Sequence, residues 1–272
     1  HVMARRQRQM CIRDSGNSNY GTAIVGTVSG TSISFGSEVV FESASTLYVS
    51  AIYDSTNQKV VIAYQDDGDS DKGKAIVGTV SGTSISFGTA VVFESDITSY
   101  ISATYDSTNG KIVIAYRDES TDYGTAIVGT VSGTSISFGT AVTFESANSY
   151  YISATFDSTN GKVVIAYTDA GNSSYGTAIV GTVSGTSISF GTAVVFESAT
   201  TGYAAAAFDS TNKKVVIAYT DDGNSNYGTA VVLTATSQTT NLTTENYIGI
   251  AAEAISNAAT GKINILGGVN TG

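Results

Sequence analysis

Two loops carry oxygen-bearing side chains at alternate positions: Asp67-x-Asp69-x-Asp71 and Asp222-x-Asn224-x-Asn226. Calcium takes about six to eight oxygen ligands, and many calcium loops begin to supply them with this alternation. The glycine such a loop needs comes one residue late, at Gly73 and Gly228, and no Glu closes the loop at the expected place. Asp, Asn and Gly are also the ordinary residues of tight turns, so the same stretches read equally as turns. A second set of acids ends equivalent segments: Asp54, Asp106, Asp157, Asp209 and, by alignment, Glu253. Gathered at one mouth of a central channel, these five would attract a cation. Capping their own turns, they would be structural. No cofactor is demanded, and calcium is the one candidate.

A third set places acceptors beside an aromatic ring. Asp118, Asp122 and Tyr123 recur as Asp169 and Tyr175, and again as Asp222, Asn226 and Tyr227. An acceptor next to a ring is what recognises a sugar, whose hydroxyls bond and whose apolar face stacks. Lys72 replaces the tyrosine in one copy, so these sites should be unequal. Tyr64, Tyr116, Tyr167 and Tyr219 also recur, and packing with a bonded hydroxyl is the commoner use of such rings.

Other chemistries lack their residues. The only His and the only Cys lie in the first fifteen residues, and Arg117 is the only arginine beyond them. Catalytic triads, thiolate chemistry and arginine clusters are therefore excluded from the remainder. Near-identical copies do not make the single asymmetric constellation that catalysis needs. A paired-carboxylate glycoside hydrolase stays open by residue type, although nothing marks the pair. The expectation is a protein that is not an enzyme.

The candidate residues sit on a repeat. "AIVGTVSGTSISFG" occurs unchanged at 23–36, 75–88, 126–139 and 178–191, and "AVVLTA" at 230 begins a divergent fifth copy. A period near fifty residues points to a propeller or array rather than a short-coil solenoid. Each period contains four runs rich in Val, Ile, Thr, Tyr and Phe, bounded by Gly, Asn, Asp and Ser, which predicts four strands. Strand A is 48–54, 100–106, 151–157 and 203–209; strand B is 59–66, 111–118, 162–169 and 214–221. Strand C is the "GTAIVGTV" run and strand D is "SISFGTAVVF". Strand A is small, strand B is apolar on both faces, and strand D is bulky, with Ile85, Phe87, Val91 and Phe93 on one parity. That gradient suits sheets radiating from an axis.

The expected fold is all-β: a five-bladed β-propeller with four antiparallel strands per blade. The blades are 48–93, 100–144, 150–196 and 203–245, with a split blade from 247–268 plus 20–41. Strand 262–268 should pair antiparallel with 20–28 and close the ring, which removes free sheet edges. Up-and-down topology then puts the B–C and D–A loops on one face. The A–B turns, "DSTN" followed by Gln, Gly, Gly or Lys, share the other face with the C–D turns. Because Asn is constant and its successor is not, the left-handed conformation is expected at Asn109 and Asn160.

Residues 1–15 read as a foreign, unstructured segment, leaving 16–272 as a single domain. No apolar stretch of signal-peptide length follows the basic residues. Without that segment nine basic residues face twenty-two acidic ones. A field of that sign disfavours nucleic acid and anionic membrane surfaces. No run is long and apolar enough to span a membrane.

The repeat over residues 16–236 resembles the highly repetitive β-propellers of marine bacterial and phage sequences, and in architecture the tachylectin-type sugar-binding propellers. Separately, "NLTTENYIGIAAEAISNAATGKINILGGVNTG" (241–272) resembles a segment of phage tail-fibre and virion structural proteins. These resemblances imply an extracellular or virion-borne binding module. The expected partners are glycans or cell-surface polysaccharide, and the isolated domain is expected to be a monomer. A repeat scaffold without a specific ligand is the alternative.

Overall fold

The computed structural model describes residues 7–14 and 18–233. They form β1 (Gln7–Asp14), β2 (Tyr20–Ser29), β3 (Ser32–Phe35) and β4 (Val39–Asp54), followed by three rounds of one pattern. The first round is β5 (Lys59–Asp66), β6 (Lys72–Ser81), β7 (Ser84–Phe87) and β8 (Val91–Asp106). The second is β9 (Lys111–Asp118), β10 (Tyr123–Ser132), β11 (Ser135–Phe138) and β12 (Val142–Asp157). The third is β13 (Lys162–Asp169), β14 (Tyr175–Ser184), β15 (Ser187–Phe190) and β16 (Val194–Asp209); β17 (Lys214–Asp221) and β18 (Tyr227–Leu233) follow. The chain is nearly all β, built of repeated four-strand antiparallel units, a pattern compatible with a propeller-like repeat fold.

The B strands match their sequence bounds residue for residue. Strand D does not. It breaks after "SISF", and its second half runs on without interruption into strand A of the next unit as one 16-residue strand. The first part of β8 therefore pairs with β6 and the second part with β9. The break falls at Gly88, where a Cβ would stand 2.0 Å from the Thr134 carbonyl oxygen of the next unit's hairpin turn. Gly36 meets Thr83, and Gly139 meets Thr186, in the same way. Three of the four "VSGTS" turns thus rest on the "SISFG" glycine of the preceding unit, a contact that leaves no room for a larger residue at Gly36, Gly88 or Gly139. The turns themselves have a left-handed glycine first, at Gly30, Gly82, Gly133 and Gly185, as a two-residue type II′ hairpin requires.

Neighbouring units are joined at their inner strands. The Ser50 hydroxyl oxygen accepts the Ala103 N–H at 2.9 Å; Ser102 and Ser153 accept from Ala154 and Ala206 at the same distance. Small residues there let the backbones approach closely. Farther out, the Tyr64, Tyr116, Tyr167 and Tyr219 hydroxyls donate to Glu42, Glu94, Glu145 and Glu197 of the preceding unit at 3.0–3.1 Å. The first three rings are fully buried. Between units, the B strands pack with Phe41, Phe93, Phe144 and Phe196 into successive apolar clusters.

Two expectations change. The segment set apart as foreign contributes β1, which pairs antiparallel with β2 from Gln7↔Thr27 to Asp14↔Tyr20. An open sheet edge presents a row of unpaired backbone groups, and an adjacent "QMCIR" run can satisfy them. β1 thus occupies the edge that ring closure assigned to strand 262–268, which itself lies outside the described residues, as do 238–245 and 247–253. The described ladders run from β1 to β18 without closing on themselves.

The second concerns the A–B turn. Positive φ falls not on Asn109 and Asn160 but on Gly110 and Gly161, both at 63°, and on Gln58 and Lys213 in the other copies. The Asn is held otherwise: Asp106 Oδ1 accepts the Thr108 and Asn109 N–H groups, and Oδ2 accepts Asn109 Nδ2 at 2.8 Å. The expected Asp-to-backbone bonds are present, and the left-handed residue is the one that follows.

Candidate functional site

The face carrying the B–C loops and the points where strand D runs on into strand A holds the most distinctive chemistry. Where each long strand passes from one unit to the next it gains one residue: Ser99 and Ser102 stand opposite Arg117 and Ala115. The same bulge occurs in β4, β12 and β16. The left-handed residue of each bulge is a tyrosine: Tyr48, Tyr100, Tyr151 and Tyr203, with φ of 48–50°. A bulky side chain in that region is strained, and such a bulge normally takes glycine.

The bulge turns the four rings onto one another. Tyr48 and Tyr100 have centroids 5.3 Å apart, Tyr100 and Tyr151 5.4 Å, and Tyr151 and Tyr203 4.7 Å, tilted by 44°, 68° and 41°. Four successive units thus share one aromatic ladder. Burial, followed by the neighbouring phenols, pushes the hydroxyls of Tyr100 and Tyr151 above the ordinary tyrosine range. Tyr203 ends the ladder with 72% of its surface exposed.

Beside Tyr203 lies a cavity of about 430 Å³. Tyr150, Tyr151 and Tyr203 give it aromatic walls, while Thr168, Thr220, Asp222 and Asn226 add hydroxyl, carboxylate and amide groups. Tyr150 exists in one copy only; its ring contacts Tyr100 at 5.7 Å and lies under the Arg117 guanidinium at 4.9 Å.

Of the sugar-site residues expected from sequence, Asp222 and Asn226 line this cavity; Tyr227 is exposed but not among its lining residues. In the second copy the acceptors are engaged locally. Asp118 accepts from the Ser120 N–H and hydroxyl and from the Thr121 hydroxyl. Asp122 pairs with Arg117, which also meets Glu119 at 3.1 Å. Asp169 is buried and accepts the Asn172 N–H, and Tyr175 is half-buried. Tyr123 and Tyr175 do not join the aromatic walls.

The acids suggested for a cation have other partners. In Asp54, Asp106, Asp157 and Asp209, Oδ1 takes two turn N–H groups and Oδ2 takes the Asn side chain of the same turn. These bonds hold the Asp209 carboxyl below the usual range. Glu253 lies outside the described residues. In the other loop, Lys72 and Lys74 each approach Asp69 at 2.8 Å, and Lys74 meets Asp66 at 2.6 Å. The two ammonium groups lower Asp69 to about 2. Asp71 is pushed up by burial and by the neighbouring Asp67 and Asp66 carboxylates. With lysines on Asp69, the loop does not fit a calcium cage. Among the described residues no three His, Cys, Asp or Glu side chains are grouped to hold a metal ion.

The tyrosine ladder was missed in the sequence. Its signal was present: the same Tyr opens strand A in four copies although the residues before it vary. Nothing in residue type marks a tyrosine as left-handed. Comparison with known proteins finds no matching family and no curated relative.

Proposed function

We propose that this chain is a non-catalytic carbohydrate-binding module whose site is the tyrosine-walled cavity between the units of β12–β13 and β16–β17. The observation that carries the reading is the meeting of Tyr151 and Tyr203 with Asp222 and Asn226 at one cavity. Aromatic faces cover the C–H side of a sugar, while a carboxylate and an amide accept and donate to its hydroxyls. A few placed polar groups in a mainly apolar cleft are the usual make-up of a small-ligand site. The strained backbone at each tyrosine supports the same reading, because such strain clusters at ligand sites.

In this reading the units are blades of a five-bladed propeller on a virion or cell surface, and 262–268 closes the ring by taking the edge that β1 occupies. A scaffold without a ligand would also need the invariant hairpins, since Gly88 and Thr134 require them for packing alone. A glycan array with the purified chain separates the two. Binding to sugars with exposed apolar faces is expected, and no binding to any glycan would overturn the proposal.

A further inference from the structure

The ladder is longer than the cavity. Tyr151 and Tyr203 belong to both, but Tyr100 and Tyr48 carry the aromatic surface across two more units at nearly constant spacing. Ring centroids 4.7–5.4 Å apart, tilted by 41–68°, offer an extended ligand a succession of aromatic contacts. We propose that the four tyrosines form one continuous track that binds an extended, uncharged polysaccharide across successive units, rather than several equivalent sites for single sugars. This inference rests on the carbohydrate reading above and adds the class of ligand.

Three observations support it. Tyr48 at one end of the described strip is 41% exposed and Tyr203 at the other 72%, so a ligand can reach both terminal rings. All four rings are held by the same left-handed bulge, in copies whose neighbouring residues differ. The charge disfavours acidic chains: beyond residue 15 the sequence holds nine basic and twenty-two acidic residues, Asp222 lies at the cavity, and Arg117 beside Tyr150 is already paired with Asp122 and Glu119. A uronate or sulfated polymer would meet repulsion, while a neutral one would meet only its hydrogen-bond partners.

The test is titration calorimetry with cello-, laminari- and manno-oligosaccharides of two to six units, and with oligo-alginate as the acidic probe. Affinity for at least one neutral series should rise about tenfold or more from disaccharide to pentasaccharide as further rings are covered, and oligo-alginate should bind more weakly. Tyr48→Ala should cut the gain with length to what Tyr100 alone provides, in a chain that still unfolds cooperatively, while disaccharide affinity follows Tyr151 and Tyr203. Disaccharide binding that does not grow with length would sink the track and leave the cavity reading standing. Stronger binding of oligo-alginate would overturn the uncharged class. No binding of any neutral series would overturn the track and the carbohydrate reading together.

Discussion

Replacing Tyr203 by glycine and by alanine should invert the usual order of the two residues. In an ordinary strand glycine is the worse by about 0.5–1 kcal/mol, because it loses more backbone freedom on folding. Tyr203 has φ of 50°, in the left-handed region. Both variants lose the ring contact with Tyr151 at 4.7 Å, a pair worth about 0.5–1.5 kcal/mol. Only glycine sheds the left-handed penalty of about 1–2 kcal/mol. Subtracting the entropy term leaves Tyr203→Gly more stable than Tyr203→Ala by about 1 kcal/mol. The assay is denaturant unfolding, with Ala205→Gly on the same strand, where φ is not positive, as a control that should destabilise. If Tyr203→Ala is as stable as Tyr203→Gly, the bulge and the orientation of the ladder are wrong.

Lys213 occupies the left-handed turn position that Gly110 and Gly161 fill elsewhere, so Lys213→Gly should stabilise by about 1 kcal/mol, read as a higher denaturation midpoint. Ser102→Ala strands the Ala154 N–H between units and should cost about 1–3 kcal/mol by the same assay. Burial, then Glu145, pushes the Tyr167 hydroxyl well above its ordinary value, as happens at Tyr64 and Tyr116. A raised folded pKa favours the folded state fully below the unfolded value near 10, and that contribution is lost as pH rises beyond it. Tyrosinate absorbance of this class should therefore appear only together with alkaline unfolding, and Tyr167→Phe should make stability fall less steeply above pH ~10. Deleting residues 1–15 should leave the unfolding midpoint unchanged if 262–268 takes over the edge of β2; a large drop would make β1 integral to the fold.

Regular features were legible and the exceptions were not, for reasons visible at particular residues. Lys111–Asp118 could be read because an apolar run flanked by Asn-Gly and Asp-Glu has one interpretation. The break within strand D was hidden because Gly88 looks like a strand glycine, and only the approach of Thr134 explains it. Asn109 looked left-handed because its successor varies; its own bonds to Asp106 hold it, and the strain passes to Gly110, Gln58 or Lys213. The cavity's polar residues, Asp222 and Asn226, came from their loop pattern. Its rings did not, because a left-handed tyrosine contradicts residue preference and is maintained only by contacts between units. Gln7–Asp14, expected to be unstructured, pairs with β2, because pairing depends on which edge lies within reach.

The most direct test of the central claim is glycan affinity in Tyr151→Ala/Tyr203→Ala against the unmodified chain, with unfolding followed in parallel. Each stacking ring lost should weaken binding by roughly 1–3 kcal/mol, by analogy with bases stacked on aromatic side chains, in a variant that loses some stability with its ring contacts but remains folded. Unchanged affinity in a folded double variant, or a bound glycan that protects the "DSTN" turns instead, would contradict the account.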